Sequence, residues 1–265
     1  MRQEVVQILC DPYTHEPLRL VQEMTQEGKM NEFLEAVESG RRYPFRNGIP
    51  ELFDQALVEG FNLRFQEFYR RSAGIYDRSM HFLARLAGGG ETKFRKQYLD
   101  LLELKEGSRV LEVSVGTGAN IALLPVGINA CGLDLSWEML ARCQKNLRKS
   151  GRQAELFFGN AELLPFRDAV FDVVLHVGGV NAFNDRARAI NEMIRVAKPG
   201  TRIVIADETA KMIQKTGWTK SSKKMLDEWG DRFEPPVKFL PGDMQEVKVD
   251  ELVKGYFYLL TFRKP

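Results

Sequence analysis

Residues 110–124 read VLEVSVGTGANIALL. A mostly apolar run rich in β-branched residues enters a turn of small residues, with Gly116 and Gly118 at its tip. A helix is expected straight after it, over residues 119–124. Working outward, strands and helices alternate. Strands are expected at 109–114, 128–133, 155–158, 171–177 and 202–207. Ser136 is placed to cap a helix whose apolar stripe is Met139, Leu140, Cys143 and Leu147. A second helix spans 186–197, with Ile190, Met193, Ile194 and Ala197 facing in, and Lys198-Pro199-Gly200 stops it. The end of the chain differs: 245–252 and 256–263 form an antiparallel hairpin about Lys254-Gly255. The fold class is therefore α/β, a Rossmann-like, mostly parallel seven-stranded sheet with helices on both faces and a C-terminal hairpin at its edge.

In an open parallel sheet, ligands sit beyond the carboxyl ends of the strands, where strand order reverses. Gly116 and Gly118 fall there. Glycine lets backbone approach a ligand with no Cβ in the way, although a plain tight turn would use the same residues. Asp134 ends the next strand in GLDLS. A carboxylate at that tip can accept hydrogen bonds from both hydroxyls of a ribose, or it can simply precede the Ser136 cap. A dinucleotide site wants G-x-G-x-x-G, and the third glycine is absent. Glu112, at the strand's end, would repel a pyrophosphate and attract an ammonium group. The expected ligand carries adenine, ribose and a cationic amino-acid tail, which argues against an NAD enzyme.

The words VLEVSVGTGAN, GLDLSWEML, GNAELLPFRDAVFDVVLHVGGVNAF and MIRVAKPGTRIVIAD stand in the order and spacing of the class I S-adenosylmethionine-dependent methyltransferases. The chain from about Tyr69 onward resembles that family, and within it the branch of the ubiquinone/menaquinone C-methyltransferases. The departure is Ser114, where the family usually has glycine. The resemblance implies S-adenosylmethionine as cofactor and S-adenosylhomocysteine as product. It implies that Glu112 orients the turn and the methionine ammonium, and that Gly116 and Gly118 let the methionine portion lie on the backbone. It assigns Asp134 to the ribose, Leu135 and Met139 to the faces of the adenine, and Asn160 and Ala161 to its edge. His176 and Val177 would face the methionine and the methyl group. Tyr76 and Phe94 would close over the cofactor. His176 is the one histidine near the expected methyl site; it serves either as a catalytic base or as a hydrogen-bonding wall. Asn181 and Asn184 either face substrate or shape a turn.

The chain has 265 residues, 44% hydrophobic and 28% charged, with a net charge of +2. No strong field draws it to nucleic acid or a membrane, and no apolar run is long enough to span one. The N-terminus lacks the pattern of a signal peptide. Three scattered cysteines build no disulfide framework, so a cytoplasmic location is expected. Three regions follow: a small α+β module over 1–55, a helical cap or lid over 56–105, and the cofactor-binding methyltransferase domain over 106–265. Strand-like pieces are expected at 5–9 and 18–24 in the first region. Leu57, Phe61, Phe65 and Phe68 mark a helical stripe in the second, and a further helix is expected over 92–102. The words ILCDPYTHEPLRL and RRYPFRNGIPELF resemble the zinc-ribbon-like module related to the tRNA-methyltransferase activator Trm112. Only Cys10 of its cysteines remains, and Cys10 with His15 is too few ligands, so no metal is expected. Between 209 and 239, Trp218, Trp229, Phe233 and Met225 interleave with Lys211, Lys215, Lys220, Lys223 and Lys224. That run serves an anionic acceptor or RNA, or is the solvated face of a helix. The leading reading is methyl transfer to a small-molecule acceptor by in-line displacement. The others are an RNA methyltransferase and a cofactor-binding but catalytically silent partner protein.

Overall fold

Leu111 and Val113 face one side of their strand and Val110 the other, and all three are buried. A strand covered on both faces has no polar side to alternate with, so its sequence is a mostly apolar run, broken here by Glu112. The computed structural model describes residues 2–24, 28, 30–64, 66–67, 90–216 and 228–265. The chain opens with a short helix α1 (Gln3–Val6), then strands β1 (Leu18–Met24), β2 (Met30–Ala36), β3 (Arg42–Arg46) and β4 (Ile49–Pro50). Helical residues 60–64 and 66–67 form α2, and α3 spans Gly90–Leu99. There follow β5 (Arg109–Val113), β6 (Asn129–Asp134), α4 (Trp137–Lys149), β7 (Glu155–Phe158), β8 (Val173–Val177), α5 (Arg186–Val196), β9 (Arg202–Glu208) and α6 (Ala210–Thr216). The hairpin β10 (Gln245–Leu252) and β11 (Phe257–Arg263) ends the chain.

The large sheet has the order β10-β11-β9-β8-β5-β6-β7. Strands β5 to β9 are parallel; β11 runs antiparallel to β9, and β10 to β11. The chain winds outward from β5 through β6 and β7, then crosses to β8 on the other side. The carboxyl ends of β5 and β8 are thus the reversal point where a crevice opens. One face packs on α5 through Ala189, Ile190, Met193 and Ile194. The other packs on α4 through Leu140, Cys143 and Leu147, and on α3 through Tyr98 and Leu99. The Ser136 hydroxyl accepts from Met139 N–H at 3.3 Å, the expected cap of α4.

The N-terminal sheet, β1-β2-β3-β4, is antiparallel throughout. Val5, Val6, Ile8, Leu9, Leu18 and Leu34 join the same core as Phe157, Leu164 and Phe166 of the large sheet's side. Leu52 N–H donates to Phe158 O at 2.9 Å, so the module covers the β7 edge, which would otherwise be open to pairing with another chain. Trp137 stacks on Phe158 with centroids 4.5 Å apart, and the Arg46 guanidinium lies 4.8 Å from the Trp137 ring centroid.

Several expectations are corrected. Residues 5–9 are not a strand: α1 is a single helical turn followed by an isolated bridge at Leu9. So short an apolar run does not distinguish helix from strand. Residues 119–124 hold only a 3-10 turn, Ile121–Leu123, because Pro125 drives Leu124 into extended backbone at φ −63° and ψ 152°. Leu57 does not join a helical stripe; it ends the 3-10 turn Gln55–Leu57 and is 55% exposed. The helix expected over 92–102 starts and stops earlier, as α3. Phe65, Phe68, Trp218, Met225, Lys220, Lys223 and Lys224 lie outside the described residues.

Candidate active site

At the reversal point the chain leaves β5 into the turn Ser114–Gly118. Ser114 sits at φ +58° and Gly116 at +54°, both left-handed. A Cβ on Gly116 would meet nothing nearer than Ser114 O at 4.0 Å, so this face of the turn is open. Gly118 differs: a Cβ there would stand 2.6 Å from Cys143 Sγ and 3.4 Å from Leu147 Cγ. Its missing side chain admits α4 rather than a ligand, and Gly118 is not among the residues that line the cleft. The cleft is walled by the ends of β5, β6 and β8, with Asn62 and Gln66 of α2 and Arg95 of α3 on its remaining sides.

Two buried carboxyls face this space. Asp134, at the tip of β6, accepts from Gly116 N–H at 2.8 Å and from Ser136 N–H at 2.9 Å. Burial pushes its pKa up to about 6, against those amide hydrogen bonds. Glu112 is 2% exposed; its Oε1 accepts from Asn120 Nδ2 at 2.6 Å, while Oε2 is buried with no hydrogen-bond partner. Burial pushes Glu112 up to about 8, opposed by Asn120 and by the charge of Arg95. Asn120 Oδ1 in turn accepts from Tyr98 OH at 2.8 Å and Arg95 Nη1 at 2.6 Å. A chain of polar contacts thus links α3 to the floor of the cleft. Leu135, Met139, Asn160, Ala161 and Val177 also line it, as do Gly178, Gly179, Ala182 and Phe183. Asn160 Oδ1 accepts from Glu162 N–H at 3.0 Å, fixing the turn after β7.

A methyltransferase domain family matches the chain over residues 111–205. A ubiquinone/menaquinone biosynthesis C-methyltransferase of Geobacter sulfurreducens is 32% identical over 212 residues, which is 76% of this chain and 81% of that protein. This chain belongs to the class I S-adenosylmethionine-dependent methyltransferases. A demethylmenaquinone methyltransferase of Bacillus cytotoxicus is 39% identical over 116 residues, 42% of this chain and 49% of that protein. The chain spans about half the length of most of the curated relatives it matches. Among solved structures, a methyltransferase from Thermotoga maritima shares the fold at a TM-score of 0.53 and 22% identity, covering 76% of this chain and 99% of that one.

Of the residues the methyltransferase resemblance singles out, the cleft brings together Glu112, Gly116, Asp134, Leu135, Met139, Asn160, Ala161 and Val177. His176 does not reach it. Alternation along β8 turns its ring to the α5 side of the sheet, where it is fully buried. Its Nδ1 lies 2.9 Å from Val113 O, Nε2 has no partner, and burial lowers its pKa. Phe94 packs against Tyr98 and Phe257 instead of lining the cleft. Tyr76 lies outside the described residues. Arg95, Asn120, Asn62 and Gln66 are cleft residues that sequence reading missed. Asn120 carried a signal, since it sits in the quoted turn within reach of Glu112. Among the described residues, no group of three or more His, Cys, Asp or Glu is arranged to hold a metal. No helix of the described residues is long and apolar enough to cross a membrane.

Proposed function

We propose that the protein transfers the methyl group of S-adenosylmethionine to a small-molecule acceptor. The observation that carries this is a pair of buried carboxyls flanking the open backbone of Gly116: Asp134, held by backbone amides, and Glu112, whose Oε2 has no hydrogen-bond partner. The orphaned Glu112 Oε2 is the partner an ammonium group lacks in this cleft, and the missing Cβ of Gly116 leaves room beside it. When bound, the cofactor supplies a methyl group already activated by its sulfonium charge.

The chain's own residues then bind and align. Asp134 accepts from the ribose hydroxyls while still holding Gly116 and Ser136. Leu135 and Met139 provide apolar walls, and Asn160 and Ala161 a polar edge, for adenine. Glu112 meets the ammonium, and Arg95, held by its ion pair with Glu91 and by Asn120, lies where the carboxylate of the same tail would come. Val177, Gly178 and Gly179 border the reacting end, with Phe183 beyond. Alignment of acceptor and methyl in a straight line can supply about 7–11 kcal/mol of the barrier. His176 acts through Val113 and β5, as a brace rather than a base. The acceptor is of the small-molecule kind named for the menaquinone and ubiquinone relatives. We further read residues 1–55 as a metal-free descendant of the Trm112-like module, in which the hydrogen bonds of Asp11 to Arg41 and Tyr43 tie its two ends together.

Titration calorimetry tests the reading. S-adenosylhomocysteine should bind the wild type one to one. Asp134→Ala should weaken binding about 100-fold, since hydrogen bonds to a charged group contribute about 1.5–3 kcal/mol each. No heat with the folded wild type would end the proposal.

A further inference from the structure

The start of α2 is not secured by its own neighbours alone. The first amides of a helix have no intrahelical acceptor. Here the Asn184 side chain, from the loop after β8, fills that role across 123 residues of sequence: its Oδ1 accepts from Phe61 N–H at 2.7 Å. The same oxygen lies 3.4 Å from Asn62 N, and Nδ2 donates to Glu59 O at 3.1 Å. The pair of bonds fixes which end of the amide is which. Gly60 makes the approach possible. It sits at φ +59°, and a Cβ on it would stand 2.5 Å from Asn184 Oδ1. A second tie lies beside the first, where Glu162 Oε1 accepts both Asn62 Nδ2 at 2.8 Å and Asn184 N–H at 2.9 Å.

The position of this clasp gives it a consequence for the cleft. Asn62 and Gln66 line the cleft from α2, and Gln66 Nε2 donates to Leu135 O at 2.7 Å. Phe61 packs edge-on to Trp229 with centroids 5.4 Å apart, and the Arg232 guanidinium lies 4.0 Å from the Phe61 ring centroid. Helices in proteins take most of their stability from tertiary packing, so the place of these residues depends on such ties. Asn184 itself is rigidly based, immediately before Asp185, whose side chain caps α5.

We propose that Asn184 and Gly60 form a clasp that fastens α2 over the ribose–adenine end of the cleft, and that its opening sets how fast the nucleoside product leaves. Asn184 is a positioning residue; it acts through Asn62 and Gln66. The inference rests on the cofactor reading above.

The test uses the full chain and two readouts. Hydrogen exchange of the Phe61 and Asn62 amides, measured without ligand, reports the clasp itself. Stopped-flow displacement of S-adenosylhomocysteine reports release. Asn184→Ala should speed both exchange at Phe61 and dissociation at least about tenfold, with association changed less than about threefold. Gly60→Ala should do the same through the clash. Asn184→Asp keeps an acceptor at the helix N-terminus and should restore most of the slow release. Unchanged exchange at Phe61 in both Asn184→Ala and Gly60→Ala would overturn the clasp. Faster exchange with unchanged dissociation would overturn its role in release. A wild type that binds no S-adenosylhomocysteine would defeat the cofactor reading, while the exchange arm would still judge the clasp.

Discussion

Asp11 and Asp134 are both buried aspartates at turns that follow short structural elements, and the molecule treats them in opposite ways. Asp11, in the N-terminal module, is fully enclosed. It accepts from Tyr13 N–H at 2.7 Å, Thr14 N–H at 3.0 Å and Tyr43 OH at 2.8 Å, and it takes both oxygens to Arg41 Nη1 at 3.0 and 2.8 Å. It joins the turn after Cys10 to the turn before β3. Asp134 accepts from two backbone amides and, among the described residues, hydrogen-bonds to no cation, and burial raises its pKa to about 6. Its neighbour Glu112 has a wholly unpartnered oxygen. A buried acid with every lone pair answered is part of the scaffold. Asp134 held by amides alone and Glu112 with one oxygen unanswered, both at a cleft, are the acids we propose meet a ligand.

The largest expected effect breaks the comparison on the module side. Asp11→Ala strips the partner from Arg41 and Tyr43 and should cost about 3 kcal/mol of unfolding free energy, the low end for a broken buried pair because Arg41 is 43% exposed. Urea denaturation measures it. The variant that remains folded should bind S-adenosylhomocysteine as the wild type does; weakened binding would show the two acids are not separate in function.

A smaller effect sharpens the cleft side. The raised pKa values mean that the ligand-free fold carries protons on Glu112 up to about 8 and on Asp134 up to about 6. A carboxyl raised by folding makes the ligand-free protein less stable as pH climbs from its unfolded value toward the folded one. An ammonium group favours the ionised Glu112, so binding should release a proton and tighten as pH rises from 6 to 8, by at most about tenfold per unit. Glu112→Gln should flatten the upper part of that rise, and calorimetry across the range reads it.

The smallest effect concerns strain at the strand tip. Ser114 holds φ +58°, a conformation that costs a residue with a Cβ about 1–2 kcal/mol. Ser114→Gly should relieve part of this, offset by the added freedom of the unfolded chain, for a net gain of about 0.5–1 kcal/mol, read as a small rise in Tm.

Much of this was legible in sequence because one physical signal governed it. The doubly covered strands wrote themselves as apolar runs, and the reversal point followed from their alternation with helices. Where two causes share one signal, the reading was ambiguous. Gly116 and Gly118 look alike in VGTG, yet one is open to the cleft and the other is pressed by Cys143. His176 and Val177 cannot both face the methyl site, because consecutive residues of a strand point to opposite faces. That constraint was available from sequence alone and excludes one of the two. Nothing in the sequence distinguishes Arg95 on α3 from the other charged residues of its helix; only packing against Asn120 brings it to the site. The end of the helix expected at 119–124 was also written in the sequence, at Pro125.

The most direct measurement is a crystal structure of the protein grown with S-adenosylhomocysteine. The nucleoside should lie in the cleft beside Gly116, with both ribose hydroxyls within hydrogen-bond distance of the Asp134 carboxylate and the amino group at Glu112. A nucleoside bound elsewhere, or an Asp134 that keeps only its two amide donors with the ligand present, would contradict it.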